Sequence, residues 1–288
     1  MLPENFYKLV EQKGFLKNIL YSDTDSIFIL LRTKNVNIST EEKLKLLEKT
    51  AENINKEIRI YLNHFLLPRQ NISPTFNNTE FKTELLIDSI MFLDVKKSYV
   101  YRLLAKEGNI LEHPEISYTG VQVVKSDTSN ITRKILKHLI DIILSNIPRK
   151  YWKIELGKCF KIYKEKFNQM IEDFELSDIG FPIRWNKKEQ SIYGMKLYNY
   201  IMSEETFSMG SSGYFIYCIF HDLSLFKNIN IEDITKITGL CIPYSGYDKI
   251  KLKNQMKEFR IEIDKDLQWE KINTTTVKRV VEIIKEIL

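Results

Sequence analysis

Tyr21-Ser22-Asp23-Thr24-Asp25-Ser26 (YSDTDS) is the stretch on which the reading of this chain turns. Apolar, β-prone runs flank it, Phe15–Tyr21 on one side and Ile27–Leu31 on the other, so the pattern predicts an antiparallel hairpin with a polar tip. The tip carries two carboxylates one residue apart, Asp23 and Asp25, which are oxygen ligands of the kind that hold hard cations such as Mg²⁺. They form half of a site. Two-metal nucleotidyl transfer needs at least one further acidic residue from another segment. Taken alone, an Asp-x-Asp tip is more often ordinary turn chemistry than a metal site.

Downstream, Ser39 and Glu42 form a capping-box pattern. Leu47, Ala51, Ile54, Ile58, Tyr61 and Phe65 then recur at helical spacing, predicting an amphipathic helix over residues 40–66 that covers one face of a sheet. Residues 67–80, rich in Pro and Asn, read as a loop, and Phe81–Leu93 and Tyr99–Leu104 return to strand-like composition. From Asp127 the period changes. Asp127 or Thr128 would cap a helix with Ile131, Ile135, Leu139, Ile142 and Ile143 on its apolar side, and a second helix over 152–175 follows the break at Pro148. After Ser177, short strands such as Tyr214–Phe220 alternate with loops, and a helix over 274–288 closes the chain. The expected architecture is α+β: a hairpin and sheet with a packed helix over residues 1–115, then a mostly helical domain over 116–288.

With 43% apolar content in 288 residues the chain buries a real core. No run approaches the roughly 18 apolar residues of a membrane span, and the first residues lack the pattern of a signal peptide, so no membrane association and a cytoplasmic location are expected. Cys159, Cys218 and Cys241 are far apart and lack metal-site spacing, which fits reduced structural thiols. The net charge of +5 is modest, but residues 96–166 hold 15 Lys and Arg against 7 Asp and Glu, whereas residues 1–81 hold 11 against 10. A solvated lysine-rich surface and a polyanion-binding surface both fit that excess.

YSDTDS resembles the YGDTDS signature of family B DNA polymerases, with Ser22 in place of Gly. Lys96-Lys97-Ser98-Tyr99 is similar to that family's KKRY motif, with Ser98 for Arg, and Thr119–Thr128 (TGVQVVKSDT) resembles the segment that leads into its thumb. The three matches come in the family's order. Gly194–Asn199 (GMKLYN) and Asp264–Lys271 (DKDLQWEK) look like thumb segments of the T-even phage type, though each fits plain core packing equally well. The resemblance implies a partial palm followed by a thumb. Asp25 would be the direct metal ligand with Asp23 in support, and Tyr21, Ser22, Thr24 and Ser26 would shape the turn. Lys96 and Lys97 would meet duplex phosphates, and the Tyr99 hydroxyl would reach backbone or sugar. A Lys-Lys pair before a strand also serves to guard an exposed edge. Arg133, Lys134, Lys137, Lys153, Lys158 and Lys161 are further cationic candidates on charge alone.

The same resemblance implies primer–template DNA and deoxynucleoside triphosphates as partners and a two-ion Mg²⁺ site. The family's DxxSLYPS and KxxxNSxYG elements occur nowhere in the 288 residues. A second polymerase chain carrying exonuclease, fingers and the remaining palm is therefore expected to complete the site in the host cytoplasm, and the chain alone is expected to be inactive. The alternatives are a non-catalytic DNA-binding remnant and a fragment of a longer reading frame.

Overall fold

A computed structural model of the chain describes residues 18–23, 26–31, 38–93, 96–145, 147–185, 190–226 and 237–287. The chain divides into two compact units, one of residues 1–89 with 102–116 and the other of residues 90–101 with 117–288. Helices and small sheets alternate in a mixed α and β architecture. No helix among the described residues is long and apolar enough to cross a membrane.

In the first unit, β1 (Ile19–Asp23) and β2 (Ser26–Ile29) pair antiparallel, with Tyr21 opposite Phe28, Ser22 opposite Ile27 and Asp23 opposite Ser26. The register shifts by one between Ile19 and Tyr21, so the strand carries a bulge at Leu20. Helix α1 (Thr40–Tyr61) starts on the capping box: Ser39 N–H donates to Glu42 Oε2 at 2.8 Å and Glu42 N–H donates to Ser39 Oγ at 3.2 Å. Beyond Tyr61 it continues through a π-helical turn, Leu62–Leu66, into a last turn Leu67–Arg69 that takes in residues expected as loop. Pro68 lacks an N–H and its ring crowds the preceding turn, and the wider π turn lets the helix run on through it. Of the expected apolar stripe, Tyr61 is buried, Leu47, Ala51, Ile54 and Ile58 are half-buried, and Phe65 is exposed. The buried cluster consists of Leu44, Leu86, Leu104 and Ala105, with Leu47 against it.

A three-stranded sheet has the order β3-β4-β5, with β3 Leu85–Phe92, β4 Tyr99–Lys106 and β5 Asn109–Thr119. The start of β3 falls four residues later than the composition at Phe81 suggests. Asn55 explains this, because its side chain accepts from the Phe81 N–H at 2.6 Å and donates to the Phe81 carbonyl at 2.8 Å, which leaves neither group for a ladder. Strand β5 was not read from the sequence. It contains Pro114, and a strand with proline is tolerated at the edge, where β5 lies. Glu107 and Gly108 between β4 and β5 both have positive φ, 49° and 81°, as a two-residue hairpin turn requires.

The second unit is built on α2 (Asn130–Leu144) and α3 (Trp152–Glu172), with Ile131, Ile135, Leu136, Leu139 and Ile140 of α2 fully buried. Its cap is Ser129, not Asp127 or Thr128: Ser129 Oγ accepts from the Thr132 N–H at 3.3 Å, while Thr128 N–H still turns back to the Lys125 carbonyl. The domain expected to be mostly helical also holds a four-stranded sheet. Its order is β6 (Phe181–Arg184), β7 (Ser212–Phe220), β8 (Gly239–Pro243), with β9 (Ile261–Ile263) paired to the far end of β7. Short helices α4 (Leu176–Ile179), α5 (Gln190–Met202), α6 (Lys249–Glu258), α7 (Lys265–Ile272) and α8 (Thr275–Ile287) accompany these strands.

Candidate nucleic-acid interface

The acidic hairpin belongs to the first unit. Its backbone pairs through Asp23 and Ser26, which leaves a connection of two residues, Thr24 and Asp25. Thr24, Asp25 and the Asp23 side chain lie outside the described residues. Tyr21 is half-buried, its ring 5.9 Å from that of Phe28, and Ser22 and Ser26 are exposed. Among the described residues no group of three His, Cys, Asp or Glu is arranged to hold a metal ion. Two neighbouring carboxylates fit one hard cation and fall short of a two-ion donor set.

Lys96, Lys97, Ser98 and Tyr99 belong to the second unit, together with the TGVQVVKSDT segment. The Leu93 N–H donates to the Ser98 carbonyl at 2.9 Å, closing the turn between β3 and β4. Lys96 and Lys97 are exposed on this turn, and Lys97 is left-handed with φ 60°. A left-handed lysine costs about 1 kcal/mol or more and persists only where its surroundings hold it. Gly120 supplies the hold. Its own φ is +64°, and a Cβ there would stand 2.3 Å from the Lys97 carbonyl oxygen and 3.4 Å from Ser98 Cα. Ser98, only 5% exposed, donates its hydroxyl to the Gly120 carbonyl at 3.3 Å.

Two segments singled out separately in the sequence are thus pressed together backbone to backbone. Position 98 faces inward, so the cations of this turn are Lys96 and Lys97. Tyr99 is half-buried, its ring 6.1 Å from those of Phe92 and Tyr101. From Gly120 the chain buries Val121 and Val123, turns through Gln122–Val124 and exposes Lys125. Arg133 Nη2 donates to the Lys125 carbonyl at 2.7 Å, and Thr274 donates its hydroxyl to Gln122 Oε1 at 2.6 Å. On β5, burial pushes the Tyr118 phenol up, and the Asp141 carboxylate adds to it.

The two segments with a weaker resemblance serve packing. Gly194 lets α5 lie on β8, since a Cβ there would meet Cys241 Sγ at 2.9 Å, and Met195, Leu197 and Tyr198 are buried. Asn199 takes up both the N–H and the carbonyl of Phe207, at 2.9 and 2.7 Å. In α7, Asp264 caps Leu267, and Gln268, fully buried, accepts from Tyr217 N–H at 2.9 Å and donates to the Ile179 carbonyl at 2.6 Å. Trp269 packs 5.1 Å from Phe167 with Lys164 over its ring. The packing of Gly120 against Lys97 is not legible in the sequence, where an isolated glycine at the head of the TGVQVVKSDT segment is the signal available.

No family model matches the chain, and no curated protein is significantly similar to it.

Proposed function

We propose that the chain is the carboxyl-terminal part of a DNA-directed DNA polymerase, a partial palm and a thumb, whose remaining active-site elements lie on another polypeptide. The observation that carries this reading is the locked turn, in which Gly120 and Ser98 fix the Lys97 backbone and hold Lys96 and Lys97 at the surface. Two exposed lysines on a turn whose backbone is fixed suit phosphates of a duplex, where each neutralised phosphate releases counterions and no base is read. The YSDTDS resemblance supports the assignment of Asp23 and Asp25 as metal ligands. Mg²⁺ bound there would supply Lewis-acid stabilisation of the transferring phosphoryl group. The chain's own part is to present those two carboxylates and to position primer–template through Lys96, Lys97 and Tyr99.

The test is an Asp25→Ala variant in a complex reconstituted with candidate polymerase fragments from the same genome. Loss of primer extension with duplex binding intact supports the reading. Unchanged extension overturns the metal role and favours a DNA-binding remnant.

A further inference from the structure

We infer that a groove along the second half of α1 and the π turn after it binds a free nucleotide, with the phosphates on Lys56, Arg59 and His64. The inference goes beyond the reading above and does not depend on it. Every residue lining the groove belongs to the first unit, and none comes from the YSDTDS hairpin. The cavity has a volume of about 470 Å³. Small-molecule sites span roughly 300–1,000 Å³.

Two of the lining residues build the groove. Asn55 is spent on the Phe81 backbone, and Asn63 Oδ1 accepts from Asn77 Nδ2 at 2.7 Å, so the connection over residues 77–81 is tied down at two points. That wall is in place before a ligand arrives, which lowers the cost of binding. The π turn sets a third group. In an α-helix a residue four positions on overshoots its predecessor by about 40°. The wider π turn, Leu62–Leu66, reduces that drift, so His64 stays close to the line of Lys56 and Ile60.

The polar groups that remain are unspent. Lys56, Arg59 and His64 are exposed and form no ion pair among the described residues. Glu52 stands four residues before Lys56, the spacing at which such a pair closes on a helix, and still no ion pair joins them. An ordinary solvated helix face accounts for the cations, but not for their leaving Glu52 unpaired beside a walled groove. A nucleotide accounts for both. Arg59 offers a planar fork that matches phosphate oxygens, Lys56 a point charge and His64 a ring N–H. These three lie along a helical rise of about 12 Å. Ile60 gives an apolar patch for a ring, and Glu52 accepts from hydroxyl or amino groups that inorganic phosphate lacks.

The experiment is isothermal titration calorimetry of the full chain with ATP, adenosine and inorganic phosphate, for wild type, K56Q/R59Q and K106Q. EDTA is present throughout, so that metal-dependent binding at Asp23 and Asp25 is silent. Lys106 is the control, an exposed lysine of β4 outside the groove. Wild type is expected to bind ATP, to bind inorganic phosphate more weakly and to leave adenosine unbound. K56Q/R59Q is expected to lose about a hundredfold in ATP affinity, two charge-assisted contacts at about tenfold each, with an unchanged melting temperature because both side chains are exposed. K106Q should bind ATP as wild type does. ATP affinity unaltered in K56Q/R59Q overturns the inference, as does inorganic phosphate bound as tightly as ATP. A chain that binds poly-glutamate or single-stranded RNA and no ATP overturns it as well.

Discussion

Replacing Gly120 by alanine sets a methyl group 2.3 Å from the Lys97 carbonyl oxygen, a separation that must open to at least 3.0 Å. Three costs follow. A non-glycine residue at φ +64° costs roughly 1–2 kcal/mol. Withdrawal of the Lys97–Ser98 peptide strains a turn already left-handed at Lys97, and it stretches the Ser98 hydroxyl bond, worth about 1 kcal/mol. Together these give a loss of about 2–4 kcal/mol, or very roughly 5–15 °C in melting temperature for a unit of this size. Gly108 is the control, because it has φ +81° with nothing within 4 Å of its added Cβ, so Gly108→Ala carries only the backbone cost. The assay is paired thermal melts and duplex anisotropy of the two variants. Gly120→Ala should melt lower than Gly108→Ala and bind duplex more weakly, since Lys96 and Lys97 lose their support. Equal stability and equal affinity in the two variants would refute the locked turn.

Asn55→Ala removes both partners of the Phe81 backbone; it should cost about 1–3 kcal/mol, with faster hydrogen exchange at the Phe81 amide as the local readout. Gln268→Ala should destabilise the second unit by about 2–4 kcal/mol in denaturant titration, because the Tyr217 N–H and the Ile179 carbonyl both lose a buried partner. Burial pushes the Cys159 and Cys218 thiols up to about 12 and that of Cys241 well above its usual value. Folded protein should therefore resist alkylation at pH 8–9 at all three cysteines, and denatured protein should react at each by mass spectrometry.

The helices α1, α2, α3 and α8 were legible in the sequence, whereas α4, α5, α6 and α7 fall where short strands and loops are expected. Of the apolar positions expected on α2, Ile131, Ile135, Leu139 and Ile142 are buried and Ile143 is half-buried, and α8 starts within a residue of its expected place. Its caps were harder to read, because Lys125–Ser129 offers Asp127, Thr128 and Ser129 in succession and the choice depends on the turn that Lys125 closes. Strand β5 was hidden by Pro114 and by polar residues suited to an edge, and β3 was overextended because Asn55 acts on Phe81 from 26 residues away. The sheet of β6, β7, β8 and β9 joins strands scattered from Phe181 to Ile263, three of them with five residues or fewer. Short segments of that kind carry little periodicity. At the candidate site the motif residues were legible as residue types. The inward turn of Ser98 and its tie to Gly120 were not, because both depend on contacts across 22 positions of sequence.

Primer extension with Mg²⁺ and all four deoxynucleotides, run on the chain alone and on the chain mixed with candidate polymerase fragments from the same genome, tests the central claim most directly. Extension in the mixture and none from the chain alone is the predicted result, with the missing carboxylate contributed by the added fragment. Extension by the chain alone, or none in any mixture while duplex binding persists, would contradict it.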